Sequence, residues 1–146
     1  MTKDDTSGGL SREERDAVKD RAKELREEAK AGKNRAAGEK AVQEAIAEMP
    51  GEDAAIARRL HEIVAEAAPE LMPKTWYGQP AYANTDGKVI AFFQSAAKFK
   101  TRYATLGFNE DANLDDGEMW ATSFAVTTLT PAVETKIRDL VRRAIR

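Results

Sequence analysis

The chain predicts an α+β domain in which a short antiparallel sheet is flanked by helices, with an extra helix at the N-terminal side. Three observations carry that prediction. Apolar residues recur at helical spacing through the first half, the pattern changes to short β-branched and aromatic runs after Pro73, and a helical stripe returns after Pro131. A length of 146 residues suits one such domain, which buries roughly 68–70% of the surface its unfolded chain exposes.

Residues 1–10 are small, polar and charged, and are expected to form a disordered tail. Ser11 and Glu14 then make an S-x-x-E capping box, in which hydroxyl and carboxylate each satisfy a backbone N–H of the first turn. A helix is expected over 11–30. Its apolar positions, Val18, Ala22, Leu25 and Ala29, form a narrow stripe that buries little, so the helix should be peripheral or meet a partner chain. Gly32, Asn34 and Gly38 interrupt the pattern and predict a joint over 31–39, followed by a short helix before Pro50. The chain thus divides into a tail (1–10), an N-terminal helical extension (11–38) and the main α+β domain (39–146).

The strongest core helix is expected over 52–68, where Ile56, Leu60, Ile63, Val64 and Ala67 share one broad face and Pro69 stops the run. His61 lies off that stripe and is expected to be exposed. The run "KVIAFFQ" (88–94) reads as a central strand, apolar on both alternating faces, with Asp86-Gly87 as the turn before it. Residues 75–82 should pair antiparallel with it. As one strand they put Trp76, Gly78, Pro80 and Tyr82 on one face and Tyr77, Gln79 and Ala81 on the other; Pro80, unable to donate to a ladder, places the strand at the sheet border. "FKTRYATLGF" (99–108) alternates as a third strand, "SFAVTTL" (123–129) as a fourth, and Thr130-Pro131 starts the last helix, carried by Val133, Ile137, Leu140, Val141 and Ala144.

Composition narrows the chemistry. There is no cysteine, which removes disulfides, thiolate catalysis and cysteine metal sites and suits a reducing cytoplasm. No basic-apolar leader and no run of about 18 apolar residues occurs, so neither secretion nor membrane insertion is expected. A net charge of -2 with both signs abundant argues against nucleic acid as partner. One histidine, and no nucleophile elbow, P-loop or G-x-G-x-x-G, leaves no catalytic signature; the expectation is a non-enzymatic binding module.

Two candidate sites remain. The segment "PKTWYGQPAY" (73–82) gathers aromatics with polar tips: Trp76, Tyr77, Gly78, Pro80 and Tyr82, with Phe93 of the next strand, would wall a cleft. Lys98, Lys100 and Arg102, alternating on the third strand, would form a basic row beside it, with Lys100 or Arg102 orienting an anionic ligand, the arrangement of a small-molecule binding protein or of an enzyme as the alternative reading. The loop "NEDANLDDGE" (109–118) offers Glu110, Asp111, Asp115, Asp116 and Glu118 to a hard cation. It is no EF-hand: position six is Asp116, with Gly117 one place late, and position twelve is Thr122. Arg138, Arg142, Arg143 and Arg146 on the last helix are read as solvated.

The assembled pattern, "MPGEDAAIARRLHEIVAEAAPELMPKTWYGQPAY" followed by "GKVIAFFQSAAKFKTRYATLGF" and a final strand and helix, resembles the YdhG-like family of small bacterial proteins over residues 41–146. That family's hallmark is an aromatic-Gly-x-Pro-x-aromatic segment, matched here by Trp76, Tyr77, Gly78, Pro80 and Tyr82, with Phe93 and Gly107-Phe108 at apolar strand positions. The resemblance implies a frataxin-like, helix-flanked sheet. It also implies an iron-chaperone-like role, with iron held weakly as cargo and passed to an accepting protein; self-association through the extension is the other partner expected.

Overall fold

A computed structural model describes the backbone of residues 11–146 and the side chains of all of these except 20, 21, 23–25 and 27–33. The expected tail, 1–10, lies outside the described residues, as do the side chains of Leu25 and Ala29 in the alanine-rich stripe. The order of elements is α1 (Arg12–Ala47), α2 (Gly51–Ala67), β1 (Met72–Trp76), β2 (Gln79–Ala83), β3 (Val89–Gln94), α3 (Ala96–Phe99), β4 (Ala104–Phe108), β5 (Ser123–Val126) and α4 (Pro131–Ala144). The chain divides into two compact units, Met1–Asn34 and Arg35–Arg146. No helix among the described residues is long and apolar enough to cross a membrane.

In the first unit the capping box forms as expected: the Ser11 N–H donates to Glu14 Oε1 (2.9 Å) and the Glu14 N–H to Ser11 Oγ (3.0 Å). The expected joint over 31–39 does not form, because α1 continues unbroken to Ala47. Gly38 serves another purpose. A Cβ there would collide with the Pro73 carbonyl oxygen, so this glycine lets the helix backbone lie against β1.

The second unit is a five-stranded antiparallel meander in the order β1-β2-β3-β4-β5. Register sorts the side chains into two faces. Tyr82, Ala91 and Phe108 lie opposite one another on one face, as do Phe93, Leu106 and Phe124, and Ala104 with Val126. This face packs with Val42 and Ile46 of α1, Leu60, Ile63 and Val64 of α2, and Ile137 and Val141 of α4 in one core. The spacing of these helical residues brings one stripe of each helix onto the sheet. Thr130 caps α4 by accepting from the Val133 N–H (3.3 Å). Arg59 of α2 grips Glu134 of α4 with two parallel bonds of 3.0 and 2.8 Å. Arg138 reaches Glu66 at 3.2 Å and Arg143 the Leu114 carbonyl at 3.5 Å, so these two arginines are not simply solvated.

Three strand expectations change. Residues 75–82 are not one strand: the chain reverses at Tyr77-Gly78, making a two-residue hairpin in which Trp76 pairs with Gln79. Both turn residues have positive φ, 52° and 73°, the combination of a type I′ turn, whose twist matches that of the flanking strands. The border strand is therefore β1, and Pro80 sits on the second strand, tolerated because the β2–β3 ladder begins only at Ala81. The third expected strand starts late. Residues 96–99 form α3, Lys100 ends it at φ 55°, and pairing begins at Ala104, so Lys98, Lys100 and Arg102 make no basic row. The last strand ends at Val126, short of the expected 129.

Candidate functional site

The aromatic segment is dispersed by its own hairpin. Tyr82 and Phe93 point into the core and are 2% and 0% exposed, while Trp76, two residues along from Lys74 on β1, lies on the opposite face of the sheet. The cleft expected between Trp76, Tyr82 and Phe93 is thus corrected: strand alternation across the turn separates them. Pro80 is buried with the core face, Tyr77 and Gly78 form the exposed turn tip, and Lys100 and Arg102 fall in the exposed connection after α3.

The turn is clamped from beneath. Lys98 Nζ donates to the Tyr77 carbonyl (3.1 Å), Gln79 Nε2 donates to the Gly78 carbonyl (3.0 Å), and Gln79 Oε1 accepts from the Ser95 N–H (2.9 Å). A side chain at Gly78 would collide with Lys98 Nζ, 2.5 Å from the position of its Cβ. Tyr77, a bulky residue at positive φ, is held in a strained backbone state while its ring stays 76% exposed.

The face of the sheet away from the core helices carries an aromatic cluster that includes Phe92, a ring the sequence pattern does not single out. Phe92 lies directly across from Gly107, whose missing side chain leaves room for the ring. Trp76 meets Phe92 edge-on at 5.2 Å and Tyr77 at 4.9 Å. Beside this cluster lies a depression of the surface, about 490 Å³ and open to solvent, lined by Lys74, Trp76, Lys88, Val89, Asn109, Glu110 and Asp111. Three chain segments meet there for local reasons. Lys74 and Trp76 share a face of β1 by alternation. Lys88 is fixed by the turn before β3, where Asn84 Oδ1 accepts from the N–H groups of Asp86 and Lys88, both at 3.0 Å, and Gly87 takes φ 81°. Asn109 is drawn in by its N–H bond to the Ile90 carbonyl (3.1 Å).

Of the five loop carboxylates expected to face a cation, only Glu110 and Asp111 line this depression. Among the described residues no three His, Asp or Glu side chains converge to hold a metal ion. The loop is organised by its apolar residues instead: Ala112 and Leu114 are buried in the core, and the Asn113 N–H caps α4 at the Ala144 carbonyl (2.9 Å). Asp115, Asp116 and Glu118 are left facing solvent.

A second arrangement corrects the expectation for His61. It is buried, and both ring nitrogens are engaged: Nδ1 with the Tyr82 hydroxyl at 2.8 Å, and Nε2 with the two Glu39 carboxylate oxygens, each at 2.8 Å. A carboxylate only accepts, so in the neutral ring Nε2 carries the proton and Nδ1 accepts from the tyrosine. Burial, together with the negative charge of Glu39, pushes the Tyr82 hydroxyl well above its usual range, keeping it neutral. Burial also works to raise the Glu39 carboxyl. Hydrogen bonds from Gln43 and His61, with the charges of His61 and Arg35, outweigh it and hold that carboxyl below the ordinary glutamate value. The adjoining pocket is only about 140 Å³, and Arg35 at its rim is turned to the Leu71 carbonyl (3.2 Å). With no ring nitrogen free for a substrate, the chain Glu39–His61–Tyr82 acts as a clamp joining α1, α2 and β2.

Compared with known proteins, the chain matches no family model, no curated protein and no solved structure.

Proposed function

We propose that the second unit is a binding module whose ligand surface is the Trp76 depression, and that it takes a small planar molecule bearing an anionic group and hydrogen-bond donors. The observation that carries this reading is the lining itself, which brings together the indole of Trp76, two lysines, Lys74 and Lys88, and two acidic residues, Glu110 and Asp111. A flat ring gains by stacking on the indole, an anion by the two lysines, and hydroxyl or amine donors by the two carboxylates. The volume, about 490 Å³, falls in the range of small-molecule sites.

The finer fold reading also belongs here. A helix-flanked antiparallel meander with the Trp-Tyr-Gly-x-Pro-x-Tyr segment as its first hairpin supports a YdhG-like plan. The iron-chaperone role attached to that resemblance finds less support, because two carboxylates in the depression fall short of the six or so oxygen ligands that hard cations gather.

Adenosine monophosphate is a suitable probe, since adenosine lacks its charge and inorganic phosphate lacks its ring. In calorimetric titration the full chain should bind the nucleotide more tightly than either fragment. The double variant Lys74→Ala, Lys88→Ala, altered at exposed positions that leave the core intact, should bind it at least about tenfold more weakly, as loss of two charged contacts implies. No heat with any of the three probes, or equal affinity in the double variant, would remove the reading.

A further inference from the structure

The two borders of the sheet are built differently. β1 is guarded three ways: Pro73 has no N–H to offer a further strand, Lys74 is exposed on it, and α1 lies against it where Gly38 meets the Pro73 carbonyl. These are the usual means by which proteins keep sheet borders from pairing. β5 lacks the first two. It carries neither proline nor charge and lies within fifteen consecutive uncharged residues, 119–133, of a chain that is 33% charged. Beyond its ladder to β4, it makes no hydrogen bond on its outer side among the described residues. The approach to it exposes large apolar side chains: Met119 is 88% and Trp120 38% exposed.

We propose that β5 is the interface for a second copy of this chain, pairing antiparallel with its own counterpart about a two-fold axis to join two sheets into one of ten strands. Charge is the argument for a second copy over another protein. Across a two-fold axis each residue meets its own kind or a near neighbour in the same run, so any charge there would oppose a like charge. An uncharged border strand is the composition such self-pairing needs. Because β1 is blocked, association closes at two copies and cannot propagate into a fibre. Met119 and Trp120 supply apolar surface beside the new ladder. Lys136 of α4 stays on the helix-covered face, its ammonium over the Phe124 ring (5.9 Å).

Sedimentation equilibrium of the full chain tests this with side chains that the fold leaves exposed, Ser123 and Ala125. The wild-type chain should be dimeric. The variant pairs Ser123→Lys, Ala125→Lys and Ser123→Glu, Ala125→Glu should each raise the dissociation constant at least about tenfold, and an equimolar mixture of the two should dimerise again. Circular dichroism of each variant confirms folding, and the two chemistries guard against one failing to fold. A monomeric wild type, variants that dimerise as tightly as wild type, or a mixture that stays monomeric would each overturn the proposal. A monomer that instead captures a foreign strand would reassign the border to another partner and equally overturn self-pairing.

Discussion

Gly38 illustrates how little a single residue's identity says without its neighbour in space. By helix propensity, alanine should stabilise this position by about 1 kcal/mol. The collision that an added Cβ would make with the Pro73 carbonyl reverses the sign. Gly38→Ala is therefore expected to cost about 1–3 kcal/mol in denaturant unfolding, the usual range for forced overpacking; a neutral or stabilising result would mean that α1 does not lie on β1. His61 teaches the same lesson. Off the apolar stripe of its helix it reads as exposed, yet a tyrosine 21 residues away and a glutamate 22 residues away bury it by completing its hydrogen bonds. Neither partner is visible to local pattern, because both are set by how α1 and β2 dock on α2.

Among the elements, what could be read were those specified by local chemistry. The Ser11–Glu14 box, the Thr130-Pro131 start of α4, the stripe of α2 and the β3 run all stand where the residues place them. The failures have a common cause. Tyr77-Gly78 hides a type I′ turn because its first position is normally Asn, Asp or Gly, and a missed turn inverts the faces assigned to Trp76 and Tyr82. α3 lies just before the alternating run of 99–108 and runs into its first residue; its start is Ser95, a cap accepting from the Lys98 N–H (3.2 Å). Lys74 and Lys88 carry no signal of their own because only the hairpin register brings them beside Trp76 and Asp111. Helix docking gives a pH expectation. Glu39 has a lowered folded-state value, so its contribution is fully present above the unfolded value near 4.3 and is lost as pH falls through the still lower folded one. Glu39→Gln should therefore be less stable than wild type at pH 7, and the gap in unfolding free energy should close below about pH 4. A gap that stays constant through that range would show that the clamp does not depend on the ionised carboxylate.

For the whole molecule, the separation into Met1–Asn34 and Arg35–Arg146 sets the first test. Among the described residues the members of the hydrophobic core cluster belong to the second unit, as do the residues lining the Trp76 depression and the pocket beside His61. Deleting residues 1–33 should leave a single cooperative melting transition, moved by no more than about 4–8 °C, the shift that roughly 1 kcal/mol gives a domain of this size. Loss of that transition would place part of the fold in the first unit. In the proposed function the ligand surface is the Trp76 depression and neither the His61 clamp nor the β5 border. Amide-resolved NMR of the full chain during titration with adenosine monophosphate tests it most directly. Shifts are expected at Lys74, Trp76, Lys88, Val89 and Asn109 to Asp111, with β5 and the residues around Glu39 and His61 unmoved. Shifts centred on Arg35, Glu39, His61 and Leu71, or the absence of any shift, would contradict it.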